Sequence, residues 1–140
     1  MPVPHPLPSG PAMPILVPVS IGELLDKIVI LDIKAARIGD PAKLENVRRE
    51  RQALGEAAAG LDVTAEPCAA LMAELRTVNE TLWQVEDDLR DCERNGDFGA
   101  RFVELARAVY HTNDRRAAIK RALNEAFGSD LVEEKSYRSY

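Results

Sequence analysis

Cysteine and histidine are scarce in this chain. Only Cys68, Cys92, His5 and His111 occur among 140 residues. Their positions match no zinc spacing, and no Ser/His/Asp or Cys/His catalytic set can be assembled. Neither a P-loop nor a G-x-G-x-x-G turn is present. The net charge is -5, so no global positive field draws nucleic acid or anionic lipid. No apolar run reaches the roughly 18 residues of a membrane span. A secretory signal, with its basic start and apolar core, is also missing. These absences predict a soluble cytoplasmic protein with reduced thiols, no metal, no cofactor, no nucleic-acid partner and no membrane span.

What is abundant is apolar residues, 46% of the chain, beside 29% charged residues. That balance suits one globular domain, and the length allows a core without staples. Seven of nine prolines fall in the first eighteen residues. Proline lacks an N–H and resists helix, so residues 1–14 are expected to form a disordered arm. Residues 15–140 are expected to form a single helical domain, with Ile15 to Val19 extended along it.

Helix one opens at Ser20-Ile-Gly-Glu23, a capping box in which serine and glutamate satisfy each other's orphan donors. Ile21, Leu24, Leu25, Ile28, Leu31, Ala35 and Ile38 form one stripe, and Val29, Ile30 and Ile33 fall on other faces. Apolar residues all round imply burial on several sides, and hence a homodimer through helix one or its hairpin. A strand over Lys27–Ile33 is the alternative, disfavoured by the cap and the stripe. Helix two follows from Asp40-Pro41 to Gly60, with Leu44, Val47, Arg51, Leu54 and Ala58 on one face.

Helix three spans Pro67 to Asn95, with Gly96 as its stop. Helix four runs from about Phe98 to Phe127, with Asp97 as cap and Gly128 as stop. Two helices of about 42 Å joined by so short a turn must pair. The fold predicted is all-α, an antiparallel helical bundle of two hairpins, the second made of the two long helices. Charge favours the same pairing. Residues 61–96 carry nine acids and three bases, and residues 97–128 carry four acids and six bases.

Polar residues interrupt the long hairpin's apolar stripes. On a wheel of about 100° per residue, Glu86 falls within about 20° of Leu75, and Arg116 within about 20° of Leu105. Asn79, Thr112 and Asn113 lie near the same faces, with Arg90 further out. One interior layer is therefore expected to hold Asn79, Glu86, Thr112, Asn113 and Arg116. Such a layer either fixes helix register or lines a pocket for an anionic or sugar-like ligand.

Other charged groups carry weaker signals. Glu86, Asp87, Asp88 and Asp91 suggest magnesium, but three of them point away from the stripe. All-α nucleotide pyrophosphohydrolases hold magnesium with paired E-x-x-E and E-x-x-D helices. Glu23-Leu-Leu-Asp26 is the one match here. Glu23, Lys27, Lys34 and Arg37 resemble the lining of helical chorismate mutases only as charges at helical spacing. Arg115, Arg116, Lys120 and Arg121 read as partners for helix three's acids.

Several strings occur together: Val17-Pro-Val-Ser-Ile-Gly-Glu-Leu-Leu-Asp-Lys-Ile28, Asn79-Glu-Thr-Leu-Trp-Gln-Val-Glu-Asp87, Asn113-Asp-Arg-Arg-Ala117 with Lys120, and Glu133-Glu-Lys-Ser-Tyr137. They resemble a bacterial family catalogued as a domain of unknown function, number 6165, over about residues 15–137. The resemblance implies a helical domain without an assigned reaction and a loose association with cell-surface polysaccharide genes. The matched strings and the helical wheel, which adds Arg90, together give Asn79, Trp83, Glu86, Asp87, Arg90, Asn113, Arg116 and Lys120 as ligand-binding candidates. The leading expectation is a binding or assembly module. The alternative is a small enzyme acting on a phosphorylated or nucleotide-linked sugar, with Glu86 as acid/base and Arg116 as anion clamp.

Overall fold

A computed structural model describes residues 13–140. It contains four helices: α1 (Ile21–Arg37), α2 (Pro41–Ala57), α3 (Cys68–Asn95) and α4 (Ala100–Phe127). No strand occurs among the described residues. The all-α bundle of two hairpins expected from the sequence is the architecture observed. The disorder expected of residues 1–14 concerns mainly positions outside the described residues. Met13 to Val19 have no regular structure. Of the stretch expected to lie along the bundle, Ile15 and Leu16 stand in solvent, while Pro18 and Val19 line a shallow cavity with Leu131 to Glu133.

Local chemistry sets the helix ends. Ser20 Oγ accepts from Glu23 N–H at 3.1 Å and starts α1. The reciprocal half of the expected capping box is absent, because the Glu23 carboxylate is engaged by lysines. Asp40 caps α2 through Ala42 N–H, with Pro41 at its first position. That helix stops at Ala57, before the expected Gly60. Gly96 and Gly128 end α3 and α4 with φ of 66° and 64°. Both positions need the left-handed conformation that glycine adopts without a Cβ clash. Helix α4 begins at Ala100 rather than Phe98, and Asp97 caps no N–H of α4. Its carboxylate accepts from Gly99 N–H within the turn.

Helix α1 is the centre of the bundle. It packs on α2, α3 and α4, while α2 touches α1 alone among the helices. Leu25, Val29 and Ile33 join Leu75, Val78, Ile119 and Leu123 in the main core. Ile28 and Leu31 lie on the other side of α1 and are buried too, on the face left for α2. Five residues of the apolar girdle of α1, Leu25, Ile28, Val29, Leu31 and Ile33, are thus covered within one chain. Helix α1 has three neighbours of its own, while Ile21, Leu24, Ile30 and Ile38 stay half-buried.

The long hairpin outruns α1. A second cluster of Val85, Cys92 and Leu105, flanked by Leu89, Phe102 and Val109, contains no α1 residue. Both cysteines are buried and unpaired. Arg37 lies 5.8 Å above the Trp83 ring, marking where the end of α1 meets α3. The expected acid-to-base zipper between α3 and α4 reduces to one contact, Arg101 to Asp88 at 3.4 Å. Further along α4, Arg116, Lys120 and Arg121 turn to α1 and to the segment after α4.

Close approach at the start of α1 demands a glycine. A Cβ on Gly22 would sit 2.4 Å from the Lys120 carbonyl oxygen and 3.0 Å from Asn124 Oδ1. Backbone cannot yield as a flexible side chain does. Gly22→Ala is expected to cost about 1–3 kcal/mol in urea unfolding. Gly39→Ala, where nothing lies within 4 Å, serves as the comparison. Equal stability of the two variants would contradict this packing.

Candidate functional site

Asp26 is the most deeply buried charge, with no solvent-exposed surface. Its Oδ1 accepts from Asn79 Nδ2 at 2.8 Å and from Arg116 Nε at 3.0 Å. Arg116 Nη2 donates to Oδ2, completing a bidentate fork. One carboxylate on α1 therefore holds α3 and α4 together. The Arg116 guanidinium is pushed above its ordinary value chiefly by this hydrogen bond, with burial opposing.

Asn79 and Arg116 are level across the hairpin, as expected of residues in one interior layer. The residue that brings them together is Asp26 rather than Glu86. Glu86 retains 46% side-chain exposure and pairs with Arg90 at 2.7 Å along its own helix. Both face solvent beyond the reach of α1. A helical wheel gives direction but not what lies opposite, and past Trp83 no α1 residue covers α3. Asp87 is exposed on the same stretch, and Thr112 and Asn113 are half-buried.

One turn from Asp26, Lys120 is buried between two carboxylates. Its Nζ donates to Glu23 and, at 2.9 Å, to Glu133 of the segment after α4. Burial alone would lower this lysine, but the bonds to Glu23 and Glu133 outweigh it and raise it above 10.5. Hydrogen bonding to Lys120 holds Glu133 below its ordinary 4.5, against the upward pull of burial. Nearby, Asn124 Oδ1 accepts from Gly22 N–H at 2.6 Å and Ser129 Oγ from Ile21 N–H at 3.1 Å.

The segment 129–140 then runs back along α4. Glu134 meets Arg121 at 2.7 Å, and the Tyr140 hydroxyl donates to Asp114 at 2.6 Å. Tyr140 stacks edge-on against Tyr110 and His111, with centroids 5.2 and 4.8 Å away. Between this strap and α4 lies a groove of about 560 Å³, walled by Tyr110, Asn113, Asp114, Tyr137, Arg138 and Tyr140. Lys135 lines this groove and also a second of about 270 Å³ beside Lys120, Arg121 and Asn124.

Of the candidate residues, Asn79, Arg116 and Lys120 gather at α1, and Asn113 reaches the groove. Trp83, Glu86, Asp87 and Arg90 belong to neither. Asp26 escaped attention as a core residue, although it falls within about 20° of Ile33 on the wheel of α1. A charge on the apolar face that carries Val29 and Ile33 was the available signal. The pairing of Tyr110 with Tyr140 had none, since thirty residues separate them.

Two outcomes follow from this network. Removing Arg116 strands a buried carboxylate, and removing Asp26 leaves a half-buried guanidinium. Arg116→Met and Asp26→Asn are each expected to cost about 3–5 kcal/mol. The double variant should recover part of the loss, while Glu86→Gln should cost less than about 1 kcal/mol. Urea denaturation of the four proteins checks this, and a Glu86→Gln loss as large as the others would refute it.

The second outcome is a pH dependence. Glu133, lowered in the fold, contributes stability above 4.5 that is lost as pH falls through its folded value. Lys120, raised in the fold, contributes below 10.5, and its share is lost as pH rises through its folded value. Urea midpoints should be flat between these limits and fall on both sides. Glu133→Gln should shallow the acid limb. An acid limb identical in the two proteins would contradict the Lys120–Glu133 pairing.

No helix among the described residues is long and apolar enough to cross a membrane. No curated protein and no solved structure matches the chain. A family model described as "Family of unknown function (DUF6165)" matches residues 15–140, which takes in every helix, the Asp26 network and the Tyr137–Tyr140 strap. The chain therefore belongs to that family of unknown function.

Proposed function

We propose that the chain is a non-catalytic binding module of the bacterial cytoplasm, with its ligand site in the groove between α4 and the strap. One observation carries the reading. The chain has three tyrosines, and Tyr110, Tyr137 and Tyr140 all line this one groove. Aromatic faces offer broad apolar contact with a polar tip. Asn113 and Asp114 add hydrogen-bonding groups, and Lys135 and Arg138 add cations. The volume suits a small molecule. This combination fits a sugar bearing an anionic group. The loose association with cell-surface polysaccharide genes that the resemblance implies is consistent with the same ligand class.

The enzymatic alternative has less support. Glu86, its proposed acid/base, pairs with Arg90 on the exposed part of α3. Arg116, its proposed anion clamp, is already neutralised by Asp26. Asp114, a carboxylate on the groove wall, is occupied by the Tyr140 hydroxyl.

A thermal-shift screen over sugar phosphates and sugar nucleotides, with and without magnesium, is the first test. A ligand that raises the melting temperature should lose at least tenfold affinity in Tyr137→Ala and Tyr110→Ala by calorimetric titration. Unchanged affinity in both variants would remove the groove as the site. Turnover of the ligand that disappears in Glu86→Gln would favour the enzyme.

A further inference from the structure

The smaller groove beside the tyrosines has an unusual wall. Lys120, Arg121 and Lys135 converge on it, and Glu133 is the one carboxylate that lines it. Glu133 meets Lys120 at 2.9 Å and Lys135 at 3.9 Å. Its neighbour Glu134 meets Arg121 at 2.7 Å. Two consecutive carboxylates of the strap thus pair with three cations drawn from two elements, and Glu23 gives Lys120 a further partner. A carboxylate offers oxygen acceptors to such cations in the way a phosphate does, with fewer oxygens and less charge.

We infer that Lys120, Arg121 and Lys135 form an anion subsite for the phosphate of a phosphorylated sugar, occupied by Glu133 and Glu134 as internal stand-ins. This rests on the reading of the adjoining tyrosine groove as a sugar site and deepens it. Lys135 walls both cavities, so a ring among the tyrosines places a linked phosphate beside the cations. The exchange needs only side-chain rotation. Glu134 is 71% exposed and Glu133 43%, so either can swing to water while the strap backbone stays in place. Glu23 remains behind Lys120, so that buried lysine keeps a partner throughout. Arg121, 48% exposed, is open to an incoming group. The two glutamates then compete with every phosphate ligand and set a threshold for its binding.

Calorimetric titration of the full chain with glucose 1-phosphate, glucose and inorganic pyrophosphate tests this. E133Q/E134Q removes the competing charge, and D87N/E104Q makes the same change in net charge on the distal hairpin. Glucose 1-phosphate and pyrophosphate should bind E133Q/E134Q about tenfold more tightly than the parent. Glucose should not change, and D87N/E104Q should behave as the parent does. Arg121→Gln in the E133Q/E134Q background should reverse most of the gain. The single variant E134Q, at an exposed pair, gives the same sign if the double variant melts early. If glucose binds but E133Q/E134Q adds nothing for its phosphate, the subsite is wrong and the tyrosine groove stands. If only pyrophosphate tightens, the subsite stands and the sugar reading fails. Equal gains in D87N/E104Q, or binding of no probe to any form, overturn the inference.

Discussion

A carboxylate removed from water must be repaid by its partners, and in this bundle the group concerned is Asp26. It sits on α1 with no exposure, and its oxygens are taken by Asn79 of α3 and Arg116 of α4. Such a contact adds little net stability, because desolvation offsets most of the attraction. Its contribution is to make alternatives costly. A turn's slip of α1 along the hairpin would leave a charge in the core without a partner. The remaining polar contacts follow from that register. With Asp26 fixed, Glu23 lies at Lys120 and Gly22 at Asn124.

The bundle divides into two regions with different duties. Around α1 the core is continuous and its polar groups are internally satisfied. That region is structural, even though it holds Asn79 and Arg116, two of the polar residues that first suggested a site, while Lys120 stands at its border with the strap. The surface made by α4 and the segment after it is where aromatic rings and cations meet open space. A buried ion pair already satisfied by its neighbours has little left to offer a ligand. An exposed tyrosine beside a lysine does.

Much of the fold was legible because local chemistry determines it. Ser20, Asp40, Gly96 and Gly128 act within a few residues of themselves, so they mark the helix ends in the sequence as they do in space. The level of Asn79 with Arg116 also followed, since a short turn fixes the hairpin register. What failed was the identity of the third element. Glu86 and Asp26 both stand on apolar faces of their helices. Only the docking of α1 decides which is covered, and that docking depends on contacts across many residues. The strap was illegible for the same reason. Its sequence has neither helical nor strand periodicity, and its partners Arg121, Asp114 and Tyr110 are chosen by tertiary placement.

The ties between the start of α1 and the end of α4 also govern the order of folding. Gly22 bonds Asn124 across 102 positions, and Ile21 bonds Ser129 across 108. The α3–α4 hairpin closes through a short turn, so it can form early and quickly. Helix α1 is synthesised first but has only α2 for company until the hairpin emerges. Its apolar faces, covered in the finished bundle, stand open for that interval. The first helix made is thus the last to be completed, and the nascent chain is most vulnerable to aggregation just before residues 124–129 leave the ribosome.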